Sequence, residues 1–107
     1  MRNIQKVSDI TPQDLWDYLN PSEEYDFTEE NTLTSFFTVA KEFIKSYTGQ
    51  ADIDKFPTFV TVAFVLVQDM YDNKTLYVDR SNLNKVVESI LNLHSINLLP
   101  EENELVT

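Results

Sequence analysis

The stretch from Leu33 to Lys74 constrains the fold of this chain most. Apolar residues in its first half recur at the three-and-four spacing that lines one face of a helix: Leu33, Phe36, Phe37, Ala40, Phe43, Ile44 and Tyr47. Gly49, the only glycine, follows where a helix ends in a residue with positive φ. A second, almost wholly apolar segment then ends at Tyr71-Asp72-Asn73-Lys74. The pattern predicts a helical hairpin.

The second half of this hairpin contains four valines between Phe59 and Val67, and β-branched residues favour strands. Three features favour a helix instead. Pro57 suits the first position of a helix, and the apolar pattern extends to Tyr71, which is longer than most strands. The chain also offers no second strong strand for pairing. We therefore predict a central helix that is buried on most sides.

Signals for the start and end of helices lie on both sides of the hairpin. Thr11-Pro12-Gln13-Asp14 is typical of a helix start, and Asn20-Pro21 of a helix end. Ser81 or Asn82 is expected to cap the last helix. The sequence predicts an all-α protein, a small bundle of about four helices over 12–19, 28–48, 57–73 and 82–93.

Three regions are expected along the chain. Residues 1–10 lack a clear period and are predicted to be an extended or flexible lead-in. The helical domain covers 11–94, and an acidic C-terminal tail covers 95–107.

Two finer predictions concern helix ends. Asp26, with Glu29 three residues later, resembles a capping box for the second helix, with Thr28 as a competing cap. At the other end of the hairpin, Asn73 is expected to adopt the left-handed conformation, and Lys74 to meet the free carbonyls.

Composition limits the classes of function. The chain has 107 residues, enough for one domain, and no cysteine, which excludes disulfides and thiolate zinc sites. No run approaches the roughly 18 apolar residues of a membrane span, so we expect a soluble, intracellular protein. The net charge of −10 argues against nonspecific binding to a phosphate backbone and favours a basic partner or a surface that does not adhere to nucleic acid.

Catalytic motifs are missing from the sequence. His94 is the only histidine, and a single glycine excludes a phosphate-binding loop or a dinucleotide fingerprint. The acidic stretch from Glu23 to Glu30 lacks the central glycine and the spacing of a calcium loop. We therefore expect no catalytic, cofactor or metal site, and we expect that the protein is not an enzyme.

Trp16, the only tryptophan, allows two interpretations. It attaches the first, acidic helix to the core, or it anchors a protein–protein interface, where aromatic residues are enriched.

In order and spacing, these elements resemble the head–tail connector (head-completion or adaptor) proteins of long-tailed bacteriophages. The resemblance covers about residues 10–93. It rests on Leu15 and Leu19 in the opening helix and an acidic loop, then Phe36-Phe37, Ala40, Phe43-Ile44 and Thr48-Gly49, then Ala63, Leu66 and Tyr71-Asp72-Asn73-Lys74, and finally Val86, Ile90 and Leu91. Lys74 stands where this family usually has arginine, and Asn31 where an acidic residue is common.

The resemblance implies a structural virion protein. Such proteins form a ring below the portal, extend the DNA channel and present a docking surface for the next connector or the tail. The expected partners are therefore copies of the chain itself, the portal protein and a tail-side protein, with DNA passing through without specific binding and no membrane involved. The expected location is the head–tail junction of the virion, and the host cytoplasm during assembly. The candidate interface residues are Trp16, Tyr18, Tyr25, Tyr71, Asp72, Asn73 and Lys74.

A second function remains open at this point. A small acidic intracellular regulator would bind a basic, nucleic-acid-binding protein by mimicking the charge of DNA. That function predicts an acidic stripe on a rigid surface, whereas a connector predicts acidic residues mainly in loops and tails.

Overall fold

Four α-helices form the described part of the chain, residues 3–96 of a computed structural model. They are α1 (Pro12–Leu19), α2 (Glu30–Thr48), α3 (Thr58–Asn73) and α4 (Lys85–Leu93). Short 3-10 turns precede each helix, at Val7–Asp9, Phe27–Glu29, Ile53–Lys55 and Arg80–Asn82. Residues 3–96 contain no strand, so the predicted all-α class is confirmed.

Helix α1 begins as predicted. The Thr11 side chain accepts a hydrogen bond from the Asp14 backbone N–H at 3.1 Å, and the Asp14 carboxylate accepts one from the Thr11 N–H at 2.9 Å. Pro12 occupies the first helical position, where a missing N–H costs nothing. The helix ends at Leu19, immediately before Asn20-Pro21.

Helix α2 ends as predicted and begins differently. Gly49 has φ 75°, and its N–H donates to the Lys45 carbonyl at 2.8 Å. At the start, the Asp26 carboxylate accepts from the Thr28 N–H at 2.9 Å and caps the 3-10 turn instead of α2 itself. Glu29, the residue before α2, makes no side-chain capping bond.

The valine-rich segment is a helix, as predicted. Helix α3 contacts α1, α2 and α4, which explains why it is apolar almost all round. Burial on three sides outweighs the weak strand preference of its valines. Its buried residues are Phe59, Val60, Val62, Ala63, Phe64, Leu66, Val67 and Met70.

The end of α3 corrects one prediction. Lys74, not Asn73, adopts the left-handed conformation, with φ 54° and ψ 42°. Asn73 is the last helical residue, and the Lys74 N–H donates to the Met70 carbonyl. The helix thus continues one residue beyond the position where asparagine would tolerate positive φ most readily.

Helix α4 begins later than the predicted residue 82. Ser81 and Asn82 lie in a 3-10 turn that is capped by Asp79, whose carboxylate accepts from the Ser81 N–H at 3.1 Å. The cap of α4 is Asn84, whose side-chain oxygen accepts from the Val86 and Val87 N–H groups at 2.8 and 3.3 Å.

The described part of the expected lead-in packs on the helical domain. Val7 and Ile10 are buried in the common core. Ser8 donates from its N–H and its hydroxyl to the two carboxylate oxygens of Asp54, at 2.9 and 2.6 Å. Residues 7–10 therefore belong with the domain that was expected to begin at 11.

Of the expected tail, only Ser95 and Ile96 are described, and the Ile96 N–H donates to the Thr48 carbonyl at 2.7 Å. Residues 97–107 lie outside the described residues.

Contacts along the helices fix their directions. Phe36, early in α2, contacts Tyr71, late in α3, so these two helices are antiparallel. Tyr18 and Asn20 in and after α1 bond Gln68 and Tyr71, which makes α1 parallel to α3. The end of α1, the start of α2 and the end of α3 therefore lie together at one end of the bundle.

Candidate interaction surface

The end of the bundle where α1 and α3 end and α2 begins carries most of the negative charge. We call residues 17–30 and 69–74 the acidic end. It contains eight carboxylates and one basic residue, Lys74, whereas residues 3–96 together contain fifteen carboxylates and seven basic residues. Within residues 3–96, five of the eight carboxylates have no hydrogen bond and no ion pair: Glu23, Glu24, Glu29, Asp69 and Asp72. An excess of unneutralised carboxylates creates a strong local negative potential.

Trp16 lies in the core and is only 5% exposed. Its indole N–H donates to the Glu23 carbonyl at 3.2 Å, which attaches the acidic loop to α1. This geometry supports the first of the two interpretations, in which the tryptophan secures the acidic helix.

Tyr25 continues this contact toward solvent. Its ring packs edge-on against Trp16 and Phe27, with centroid distances of 6.3 and 4.7 Å. Its hydroxyl donates to the Glu30 carboxylate at 2.8 Å. Burial, the hydrogen bond and the charge of Glu30 raise the pKa of Tyr25 to about 12. The phenol is therefore a neutral donor at physiological pH.

Tyr18 and Tyr71 are half-buried between helices. The Tyr18 hydroxyl donates to the Gln68 side-chain oxygen at 3.2 Å, and its ring packs on Phe64 at 5.0 Å. Tyr71 lies edge-on to Phe36 at 6.5 Å, and its hydroxyl accepts from the Asn20 amide at 3.4 Å. Both tyrosines connect α1 to α3 and leave only part of their surface for another molecule.

Asp72, Asn73 and Lys74 are exposed at the end of α3. Within residues 3–96, Lys74 makes no ion pair, although it is the one cation of the acidic end. Burial raises the pKa of nearby Asp69, and the charge of Asp72 adds a smaller effect in the same direction. Of the seven predicted interface residues, these three are the most accessible.

Sequence reasoning missed the apolar residues that are most exposed here. Leu76 and Tyr77 follow Lys74 and are 57% and 62% exposed, and Phe27 is 77% exposed. The sequence shows only that these three apolar residues lie in loops, next to helix ends. That signal does not distinguish a residue packed under a loop from one that faces water.

Two clefts flank the end of α3. The larger, about 460 Å³, lies between α3 and residues 75–83 and is lined by Leu66, Asp69 and Asp79, among others. The second, which we call the α2–α3 groove, has a volume of about 400 Å³. It is lined by Glu29, Thr32, Ser35, Phe36, Tyr71, Lys74, Thr75 and Leu76. The groove thus adjoins both the acidic end and the exposed leucine.

The opposite end of the bundle has a different character. Lys41 and Lys45 line a shallow depression together with Asp52 and Asp54. Hydrogen bonds from Ser8 lower the pKa of Asp54, with smaller contributions from nearby lysines. Charges of both signs balance here, so this end has no excess of one sign.

His94, the only histidine, is packed at that same end. Its ring stacks on Phe56 at 4.1 Å and meets Phe59 edge-on at 5.5 Å. Its carbonyl accepts from the Gln50 amide at 2.8 Å. These contacts give the histidine a packing role at the end of α4.

Within residues 3–96, no group of three or more His, Asp or Glu side chains is arranged to hold a metal ion. None of the described helices combines the length and the apolar character that crossing a bilayer demands. Comparisons with protein-family models, with curated proteins and with solved structures find no match for this chain.

Proposed function

We propose that this protein is a structural virion component, a head–tail connector subunit of a tailed bacteriophage. In this role, copies of the chain form a ring below the portal, which extends the DNA channel and receives the next connector or the tail.

One observation carries the proposal: the valine-rich segment between Phe59 and Val67 is a buried helix. A strand at this position would have removed the resemblance, because the family has a helix there. The order of elements supports the same family: a short capped helix, an acidic loop, a long helix that ends at Gly49, a buried helix and a final helix.

The distribution of charge is compatible with a DNA channel. Binding to a phosphate backbone depends on clusters of Lys and Arg that displace counterions. Of the eight carboxylates at the acidic end, four lie in the connection between α1 and α2, residues 20–29. A wall of this composition lets DNA pass because it provides few groups that neutralise phosphates.

The direct test is assembly. The particle mass of the purified chain is measured at rising concentration, alone and with portal rings of the same phage, and the particles are imaged by electron microscopy. Rings of the chain, or its binding to the portal, support the proposal. A monomer that ignores the portal and binds a basic regulator contradicts it.

The acidic end also favours a second candidate, inhibition of a basic, nucleic-acid-binding protein by charge mimicry. From residue 7 to residue 40 the chain has eight carboxylates and no basic residue. Charge mimicry predicts that double-stranded DNA competes with the chain for its partner. A connector predicts no such competition.

A further inference from the structure

The α2–α3 groove has an apolar wall that faces solvent. Phe36 and Tyr71 form its inner part and are in edge-on contact, while Leu76 stands at its edge with more than half of its surface exposed. An exposed leucine beside a preformed groove is typical of surfaces that bury an apolar side chain of a partner protein when it binds.

The charges around this groove select the partner. Glu29 and Lys74 are the charged residues in its lining, and within residues 3–96 neither makes an ion pair. Both belong to the acidic end, where eight carboxylates outnumber this one basic residue. A segment that carries Arg or Lys gains attraction from this field, whereas an acidic or neutral segment does not. Arginine gains most, since its guanidinium forms paired hydrogen bonds with a carboxylate.

Charge also argues against two other occupants of the groove, the protein's own residues 97–107 and a second copy of the chain. Residues 97–107 contain three carboxylates, Glu101, Glu102 and Glu104, and no basic residue. A second copy brings its own net charge of −10. Either would place like charges together at the acidic end, which is unfavourable.

We propose that the α2–α3 groove docks a segment of a different protein, in which a leucine or aromatic side chain is flanked by Arg or Lys. The apolar side chain packs on Tyr71 and Leu76, and a flanking cation pairs with Glu29. Only the identity of the partner rests on the proposed function: in a connector, it is the protein that stacks on the ring.

A displayed library of random dodecapeptides, selected on the full chain, tests this docking without assuming a sequence. The expected result is enrichment of peptides that combine Arg or Lys with Leu, Phe or Trp. In fluorescence anisotropy, Leu76→Ser is expected to weaken the binding of the best enriched peptide on the order of tenfold, since a leucine contact is lost. Glu29→Gln is expected to weaken it severalfold at low salt and less at high salt.

Two matched variants control for general effects. Leu93→Ser removes a leucine that is 78% exposed on α4, and Glu42→Gln removes an exposed carboxylate from the second half of α2. Both are expected to bind the peptide within twofold of the unaltered chain. Thermal unfolding of all four variants verifies that each is folded.

The proposal is overturned by no enrichment, by enrichment of acidic peptides, or by equal losses in the groove and control variants. Binding that disappears at high salt and ignores Leu76→Ser would indicate charge attraction alone, and also overturns it. Particle mass is measured on the same samples. Rings that lack peptide binding contradict the groove proposal only, whereas peptide binding without rings or portal binding contradicts the connector only.

Discussion

The left-handed residue at the end of α3 allows a sharp prediction, because the sequence favours Asn73 and the structure has Lys74. At φ 54°, a residue with a Cβ costs about 1–2 kcal/mol relative to the right-handed region. Glycine avoids this cost but loses about 0.5–1 kcal/mol more conformational entropy on folding. Lys74→Gly should therefore be more stable than Lys74→Ala by about 1 kcal/mol.

The same pair of substitutions at the preceding residue should give the opposite sign. Asn73 is helical, and glycine in a helix costs about 0.5–1 kcal/mol relative to alanine. Asn73→Ala should therefore be more stable than Asn73→Gly. At position 74, both variants lack the lysine charge, so the difference between alanine and glycine does not contain its effect on the electrostatics of the acidic end.

Thermal and urea unfolding, followed by circular dichroism, measure these differences. For a domain of this size, 1 kcal/mol corresponds to a shift of about 5 °C in Tm. Gly49→Ala is an internal reference at φ 75° and should lower the stability by about 1 kcal/mol. If alanine is the more stable residue at position 74 and glycine at position 73, the left-handed residue has been assigned to the wrong position.

Two further predictions concern the core and the N-terminal segment. Phe59→Ala should lower the free energy of unfolding by about 3–5 kcal/mol because Phe59 is fully buried, whereas exposed Phe27→Ala should change it by less than about 0.5 kcal/mol; equal effects in urea unfolding would contradict this burial. Ser8→Ala should destabilise the protein more at pH 7 than at pH 3, as measured by unfolding at both pH values. Hydrogen bonds from Ser8 lower the pKa of Asp54, so their stabilisation is present above the unfolded carboxyl pKa of about 4 and is lost as the pH falls through the folded value; a pH-independent effect would refute this coupling.

Local rules predicted most of the fold. Thr11-Pro12, the helical spacing from Leu33 to Tyr47 and Gly49 each identify a helix end or a helix face from neighbours in the sequence. The valine-rich helix required more, because its β-branched residues and its near-uniform apolar character suit two structures. Length and the absence of a strand partner decided it.

The differences arise where two local solutions compete or where burial depends on distant residues. The expected cap of the last helix is Ser81 or Asn82, but Asp79 caps the 3-10 turn and Asn84 caps α4, and local sequence alone does not rank these polar residues. Val7 and Ile10 are two isolated apolar residues without a period, yet Asp54, more than forty residues away, bonds Ser8 between them. For the same reason, the exposure of Leu76 beside the α2–α3 groove was not predictable.

The central claim is that copies of this chain assemble into a ring on a portal. The most direct measurement is the mass and the electron-microscopic shape of the particles that form when the purified chain is mixed with portal rings of the same phage. The connector function predicts portal particles that gain a closed ring of this chain. Portal rings that keep their own mass and shape, beside a chain that stays monomeric and binds a basic regulator, would contradict it.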